Sequence, residues 1–572
     1  MAKEHVFVCN RATYNKTNYE NNFIQLISRK NDPERNVYLE IENISDCVTA
    51  NISNLMIDLL EIASLVYAAD QVAKRGSKKD IGEGKYWRRE LRFIIPVREY
   101  KIWKQKEVLL ALEEVLGFLS EDDYTFEFQQ QKEESGISQY LDFGSGGCSG
   151  FEAEELVLFS GGLDSLGGAI QEIVVNEAKT LLVSHRSSKK TDPRQQKIVK
   201  LLEGYIPNGN FLHIPVWVNK DSKITKEDTQ RTRSFLFISL ASAVASVFNL
   251  NRIRIYENGI TSINLTNIEH MIGARASRTT NPKVLKGFEK LLNIITEKKI
   301  EVENPFIWKT KAEIVNLIGD RHLGIIMKQA ISCSRTMASS NKHPHCGRCF
   351  QCVSRRFATL ASEYPDYDPP ELYEKELLID PITPGEQMTL MESYVRTYKE
   401  ISKMSPYQFY SEFGEPTQVL SYVDTNIDKA AENVFKLYKK HAKEVKKVLH
   451  SGMKKYYEDI LEEKIPESSL LILSLPDKYK EKKRVEADFR HSMDFRSVNY
   501  KGKLHTFTER QAHVVQMLYE EFINGTPELG VQTILVNLDS PNSRLQDTFR
   551  DHEAWGELII PGDKKGTVRL NI

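Results

Sequence analysis

The chain has 572 residues, 41% of them hydrophobic and 27% charged, which is the make-up of a globular protein with several domains and excludes a disordered one. Seventy-eight Lys and Arg against 79 Asp and Glu leave a net charge of −1, so there is no bulk attraction to nucleic acid or to an anionic membrane. The opening Met1-Ala2-Lys3-Glu4-His5 lacks the apolar core of a secretory signal, and the most apolar run, 235–248, is too short to span a bilayer. Seven cysteines, four of them within 333–352, point to a metal site in a reducing, cytoplasmic setting.

Strands are predicted over 5–9 and 37–41. A helix follows over 54–72, with Leu55, Leu59, Ile62, Val66 and Ala69 on one stripe. A strand over 89–97, a helix over 106–119 and an alternating strand through Tyr124, Phe126 and Phe128 complete an N-terminal α+β accessory domain at 1–130. A polar linker over 131–152 contains Gly144-Ser145-Gly146-Gly147.

From 153 to 365, short apolar strands (156–159, 180–184, 211–216, 252–257) alternate with helices (165–178, 194–204, 231–248, 283–297, 311–318). Strands apolar on both faces and alternating with helices predict a parallel α/β sheet. A helix over 354–364 closes this unit. A helical accessory region follows at 366–499. Its segment 429–455 carries nine lysines against two glutamates, with a narrow stripe of Val434, Leu437, Tyr438 and Val445. That is a solvated helical face or, more sharply, a phosphate-contacting one.

Residues 500–572 read as helices over 508–522, 531–538 and 544–551, then strands over 555–560 and 567–572 around Pro561-Gly562-Asp563. The order resembles a winged helix-turn-helix. Asp547, Asp551 and Glu553 beside Arg544 and Arg550 make its third helix a poor phosphate surface, so nucleic acid is not the favoured partner.

The strongest local signal is Ser160-Gly161-Gly162-Leu163-Asp164-Ser165, between an apolar strand and a helix. Two glycines allow a tight turn that presents amide N–H groups to an anion, and the helix adds the positive end of its dipole. Ser160 and Ser165 supply hydroxyls. Asp164 fits such a site with Mg²⁺ between carboxylate and phosphates, or as the helix N-cap. The absence of a Gly-Lys-Ser/Thr sequence from this loop argues against γ-phosphate transfer.

Cys333, Cys346, Cys349 and Cys352 are spaced C-x₁₂-C-x₂-C-x₂-C, which suits a closed tetrahedral Zn²⁺ site of structural type. His343 or His345 in place of one cysteine, or an iron–sulfur cluster, are the alternatives. Cys9, Cys47 and Cys148 carry no such pattern.

The hexad resembles the PP-loop of ATP pyrophosphatases, which cleave ATP between the α and β phosphates and leave an adenylated oxygen on the substrate. Loop and cysteine cluster together resemble the 7-cyano-7-deazaguanine synthase (QueC-like) family over 153–365. Arg233-Ser234-Phe235-Leu236, Glu257-Asn258-Gly259, Thr310-Lys311-Ala312-Glu313-Ile314-Val315 and Cys346-Gly347-Arg348-Cys349 add to the likeness.

The resemblance implies a HUP-like (adenine nucleotide alpha hydrolase-like) core and ATP, Mg²⁺ and Zn²⁺ as cofactors. It implies a deazaguanine substrate whose carboxylate is adenylated and coupled to an amine. Ser160, Asp164, Ser165 and Arg233 take the catalytic positions. Gly161, Gly162, Leu163, Ser184, His185, Gly259 and Lys311 join Ser160, Asp164 and Ser165 around the nucleotide.

Two departures leave the nucleophile and the general base open. The family's Tyr-Pro-Asp-Cys-Arg segment is only Arg278-Thr279-Thr280-Asn281-Pro282 here, and Phe350 stands where the family has Asp. The front module, through Asp58-Leu59-Leu60, Trp87-Arg88-Arg89 and Ile95-Pro96-Val97, looks similar to those of homologues in antiphage operons of the Qat and type IV CBASS kinds. That likeness implies coupling to a partner protein's N-terminal amine. Nitrile synthesis for modified tRNA or DNA, and a nucleic-acid-binding regulator with an ATP sensor, are the alternatives.

Overall fold

A strand that is apolar on both faces must be covered on both, and the central strand of this protein is covered by two different bodies of the chain. The structure is a computed structural model that describes residues 3–14, 23–40, 52–75, 88–131, 151–186, 192–206, 210–227, 230–265, 278–335, 342–475, 489–524, 526–538, 544–564 and 566–572. The glycine run of the expected linker, Trp87, Cys47 and Cys148 lie outside the described residues.

The first sheet comprises β1 (Lys3–Cys9), β2 (Phe23–Leu26), β4 (Arg89–Val97) and β5 (Asp123–Gln130), in the order β2-β1-β4-β5. Every pairing is parallel. The expected α+β character is therefore corrected to a parallel α/β sheet: β4 returns to β5 through helix α2 (Lys106–Ser120), a crossover that parallel neighbours require. The pattern was hidden because the intervening strand β3 (Val37–Leu39) belongs to the other sheet, where it pairs antiparallel with β8 (Phe211–Lys220).

That second sheet has the order β10-β9-β6-β7-β8-β3, with β6 (Glu155–Leu158), β7 (Thr180–Arg186), β9 (Arg252–Ile255) and β10 (Glu301–Glu303). Apart from edge strand β3 the pairings are parallel. The connections run through α3 (Leu163–Ile170), α4 (Asp192–Tyr205) and α5 (Arg233–Val247), then α6 (Gly259–Ile263) and α7 (Pro282–Thr296). The chain starts at the centre with β6, builds outward to β8, then crosses back to β9 on the other side of β6. The carboxyl ends of β6 and β9 thus flank a topological switch point, where ligands of open α/β sheets bind.

Alternate residues of β6 enter different cores. Leu156 and Leu158 pack with helix α1 (Asn54–Val72), α2, α5 and α7. Val157 packs with α3, α8 (Lys311–Gly319), α9 (Phe350–Ala361), α10 (Glu386–Ile401) and α11 (Ile427–Lys455). Helix α1 lies between α5 and strands of both sheets, so it is buried almost all round and not along the single stripe its periodicity predicts.

The lysine-rich helix α11 buries Val434, Leu437, Tyr438, Ala442 and Val445 as expected. Several of its lysines face protein groups. Lys439 donates to the carbonyls of Ile401, Ser402 and Met404 at the end of α10, and Lys447 to that of Ala361 at the end of α9. An ammonium at these chain positions adds a donor to carbonyls at the ends of two helices and complements the helix dipole.

Residues 489–570 have a core of their own. It holds the antiparallel sheet β11-β12-β13 (Phe489–His491, Ser497–Tyr500, Lys503–Thr506) and helices α12 (Glu509–Ile523) and α13 (Val531–Asn537). A second sheet has the order β14-β16-β15 (Leu529–Gly530, Thr567–Leu570, Ile559–Pro561). The helix expected at 544–551 is only a five-residue 3₁₀ turn, Leu545–Phe549. It buries Leu545 and Phe549 and ends at Arg550, whose backbone is already extended (ψ 125°), before Asp551 turns left-handed (φ 63°). Strands β11 and β12 start this body ahead of residue 500, where the sequence reading begins it.

Four buried charges tie the front of the chain to the core. Arg89 bridges Asp70 and Asp122 at 2.6 Å each, and Arg75 reaches the same two at 3.1 and 2.7 Å, with none of the four more than 2% exposed. The second oxygen of Asp70 accepts the Thr232 N–H at 3.1 Å, directly ahead of α5. Removing one partner of a buried set costs about 3–5 kcal/mol, because the others are left uncompensated. Asp122→Ala is expected to lower the urea midpoint accordingly. Glu114→Ala, which breaks an exposed pair with Lys290, should change stability by less than about 1 kcal/mol.

Candidate active site and metal centre

The loop after β6 turns on Gly161, whose φ of 80° is strained for any side chain; an added Cβ would also lie 3.2 Å from Gln195 Cγ. Gly162 is the N-cap of α3 and offers its first turn no side-chain acceptor. The loop is held from outside. Gln195 Nε2 donates to Ser160 O at 3.1 Å, and Ile331 N to Gly161 O at 3.1 Å. Ser160 Oγ and Ser165 Oγ lie 3.0 Å apart, and Gly162 N donates to Ser160 Oγ at 3.3 Å. With both loop carbonyls fixed by neighbours, the hydroxyl pair and the helix N-terminus form a cradle suited to an anion.

Asp164 is not the N-cap. Its carboxylate pairs with Lys311 Nζ and accepts from Asn258 Nδ2 at 3.1 Å and Asn258 N at 3.3 Å. Lys311 is the first residue of α8, set in place by a capping box between Thr310 and Glu313. Glu257 completes the group, with Oε1 3.8 Å from Lys311 Nζ and 3.0 Å from Asn258 Nδ2. Burial works against the Lys311 ammonium, but Asp164 and then Glu257 outweigh it and hold its pKa above the ordinary value. Burial and then Asp164 push the Glu257 carboxyl up to about 8, against the opposing pull of Lys311.

The remaining expected residues divide. Leu163 begins α3 and is buried under it. The Gly259 N–H is taken by Lys309 O at 2.9 Å, and a Cβ there would meet Ile307 O at 1.9 Å; this glycine serves a close backbone approach. Ser184 Oγ donates to Phe159 O at 2.6 Å, and His213 Nε2 lies 2.9 Å from the same hydroxyl, so Ser184 backs the loop from within the sheet.

His185 points to the opposite face. It is buried between Tyr67 and Phe237, with Nε2 2.8 Å from Val218 O. Burial, followed by the Arg233 charge, brings its pKa down to about 3, so the ring is neutral. Arg233 opens α5 with its guanidinium 4.8 Å above the Phe237 ring. Among the described residues no hydrogen bond or ion pair joins Arg233 to the loop.

The four cysteine Sγ atoms lie within 4.8 Å of one another. Cys346–Cys352 and Cys333–Cys349 are 3.9 and 4.0 Å apart, close to the roughly 3.8 Å edge of a tetrahedron with Zn–S bonds of about 2.3 Å. Arg348 N and Cys349 N both donate to Cys346 Sγ at 3.4 Å, the polarity a thiolate requires. The donor set therefore fits Zn²⁺. His343 instead approaches Glu371 O at 3.0 Å through Nδ1, and His345 stacks on Tyr373; neither belongs to the cluster.

The cluster and the loop are coupled. Ile331 and Ser332, which hold Gly161 O and approach Leu163 N, immediately precede Cys333. Buried Arg355 on α9 fixes the same stretch by donating to Ala330 O at 2.6 Å and Asp368 at 2.8 Å.

Sequence reasoning had not placed Glu257, Asn258, Gln195 or Ser332 in the site. Glu257-Asn258-Gly259 stands out in the sequence as a strand end, but only the pairing of that strand with β6 brings the first two beside the loop.

Purified protein is expected to carry about one zinc per chain by elemental analysis. Cys349→Ser should lose that zinc, lower the melting temperature and loosen the loop toward proteolysis. Gly161→Ala should leave the zinc bound but weaken nucleotide binding more than about tenfold by calorimetry, because the cradle is rebuilt around a strained φ.

Residues 212–362 match the family described as Queuosine biosynthesis protein QueC. The span contains Arg233, Glu257, Asn258, Gly259, Lys311 and all four cysteines, while the Ser160–Ser165 loop lies ahead of it. No curated protein matches the chain. No helix among the described residues is long and apolar enough to cross a membrane. A family match over 212–362, a parallel α/β core and a four-cysteine cluster thus occur together in this chain.

Proposed function

We propose that the chain is an ATP-dependent ligase that adenylates the carboxylate of 7-carboxy-7-deazaguanine, releases pyrophosphate and lets an amine displace AMP. The observation that carries this reading is the Ser160–Gly162 cradle at the carboxyl end of β6, facing the switch point beside β9 in a chain with a QueC domain. ATP breaks between its α and β phosphates as the substrate carboxylate attacks the α phosphorus. Charge then develops on the departing pyrophosphate. Loop amides, the Ser160 and Ser165 hydroxyls and the N-terminus of α3 stabilise it, with Lys311 as the fixed cation nearby. Mg²⁺ would accompany the nucleotide as its counter-ion. Cys333, Cys346, Cys349 and Cys352 would hold Zn²⁺, which would brace the segment behind the loop.

The amine is read as the N-terminus of a partner protein, in bacterial antiphage defence. Support comes from the bodies added around the core. Arg278, in the segment that departs from the family, donates to Phe118 O at 2.9 Å and pairs with Glu121 at 2.5 Å, both in the front module. The segment that departs from the family's pattern is here anchored to an extra module, which suits a larger acceptor.

The chain incubated with ATP and 7-carboxy-7-deazaguanine should form AMP and pyrophosphate only when the acid is present. Asp164→Ala should lower that rate at least about a hundredfold, since it removes the partner of a buried ammonium beside the phosphates. Mass spectrometry of co-expressed proteins should show an N-terminal deazaguanine amide. A nitrile made from ammonia, with no protein adduct, would overturn the acceptor assignment.

A further inference from the structure

We infer that Glu257 takes the proton from the incoming amine as it attacks the adenylated carboxylate. The inference rests on the adenylation reading above. An amine nucleophile is largely an ammonium ion near neutral pH and must shed a proton before its lone pair can form the new bond. The loop supplies mostly donors. The Ser160 and Ser165 hydroxyls bond each other, and Ser165 Oγ also donates to Gly162 O at 3.1 Å. Asp164 is committed to Lys311 and to two donors of Asn258, so protonating it would leave a buried ammonium short of its partner.

Glu257 differs on each count. It follows β9, whose end adjoins the loop strand across the switch point. Its backbone is held on both sides by Asn304, with Glu257 N donating to Oδ1 at 3.2 Å and Nδ2 donating to Glu257 O at 2.7 Å. Asn258 Nδ2 fixes its Oε1 at 3.0 Å, and the side chain still keeps 24% exposure. The acceptor is thus held in a fixed orientation on a side chain that is partly open.

Two carboxylates face one ammonium here, so the group carries a surplus negative charge that a proton would relieve. The charged groups acting on Glu257 are Asp164 from α3 and Lys311 from α8. Those of the covering helix α11 are engaged elsewhere, Lys440 with Glu313 and Glu444 with Thr310. Burial and the Asp164 charge raise the carboxyl to about 8, close to an amine's own range, which favours transfer in either direction.

The step balances without any oxidant or reductant. One N–H proton passes to the Glu257 carboxylate, and the freed nitrogen pair forms the C–N bond. The carbonyl carbon then releases AMP with the electron pair of its C–O bond. A second proton leaves for water as the amide becomes neutral.

The test separates the half-reactions of the full chain. ATP–pyrophosphate exchange with 7-carboxy-7-deazaguanine reads adenylation, and product formation with ammonium chloride or hydroxylamine reads coupling. Hydroxylamine is neutral at pH 7 and needs no deprotonation before it attacks, and the proton it sheds afterwards can leave to water. The wild-type ammonium rate should climb as pH rises through about 8, where the carboxyl becomes a base, and Glu257→Gln should keep only the rise that comes from ammonium losing its own proton. Glu257→Gln, of nearly the same shape, should lower ammonium coupling by about 10²–10³-fold. Exchange and hydroxylamine coupling should fall less than about tenfold, and Glu257→Asp should restore part of the ammonium rate. Undiminished ammonium coupling in Glu257→Gln, or an equal loss with both nucleophiles, would overturn the assignment to Glu257. Absence of exchange in the wild type would instead overturn the adenylation reading beneath it.

Discussion

A buried ion pair between Asp164 and Lys311 is the constraint on which the site depends. The first residue of the pair lies one position into the helix that follows the central strand, and the second opens a helix almost 150 residues later. Their side chains are 9% and 2% exposed. In such surroundings either charge alone would be strongly destabilising, so the two helix starts must arrive together. Asn258 joins them from the neighbouring strand end, and through it the carboxyl ends of β6 and β9 and the start of α8 become one unit.

The rest of the protein can be understood as support for that unit. The segment before Cys333 holds the outer side of the loop, and the four thiolates and Arg355 hold that segment. The front sheet reaches the core through Asp70, which lies between two buried arginines and caps the start of α5. The helical region reaches it from the other face, where Leu437 lies against Gly259 and Glu444 accepts from Thr310 beside Lys311. Neither body is a separate bead on the chain, since each shares an apolar core with one face of β6. A change in either body therefore acts on the cradle through packing and charge, without touching a ligand.

What could be read along the chain was local. Ser-Gly-Gly-x-Asp-Ser between an apolar strand and a helix, and Cys-x-x-Cys-x-x-Cys, carry their geometry within a few residues, because turn conformation and thiolate spacing are short-range properties. Alternating strands and helices from 153 to 320 likewise follow from burial on two faces. The front module was misread for the opposite reason. One of its strands, β3, leaves for a distant sheet, and no local pattern records which sheet a strand joins. The 3₁₀ turn at Leu545–Phe549 has helical spacing too, but Arg550 leaves the helical region and Asp551 then turns left-handed.

The sequence by itself determined the phosphate-type loop, the four-thiolate centre and the parallel character of the sheet that carries them, since each follows from neighbours in the chain. Only the tertiary structure decided that Asp164 answers to Lys311 and Asn258, that Glu257 stands beside them as a surplus carboxylate, and that His185 turns into the core away from the loop. Those are facts of strand order and of the side from which charge approaches. Charges separated by a hundred residues or more interact only after the sheet has brought them within a few ångströms in a medium that screens them poorly.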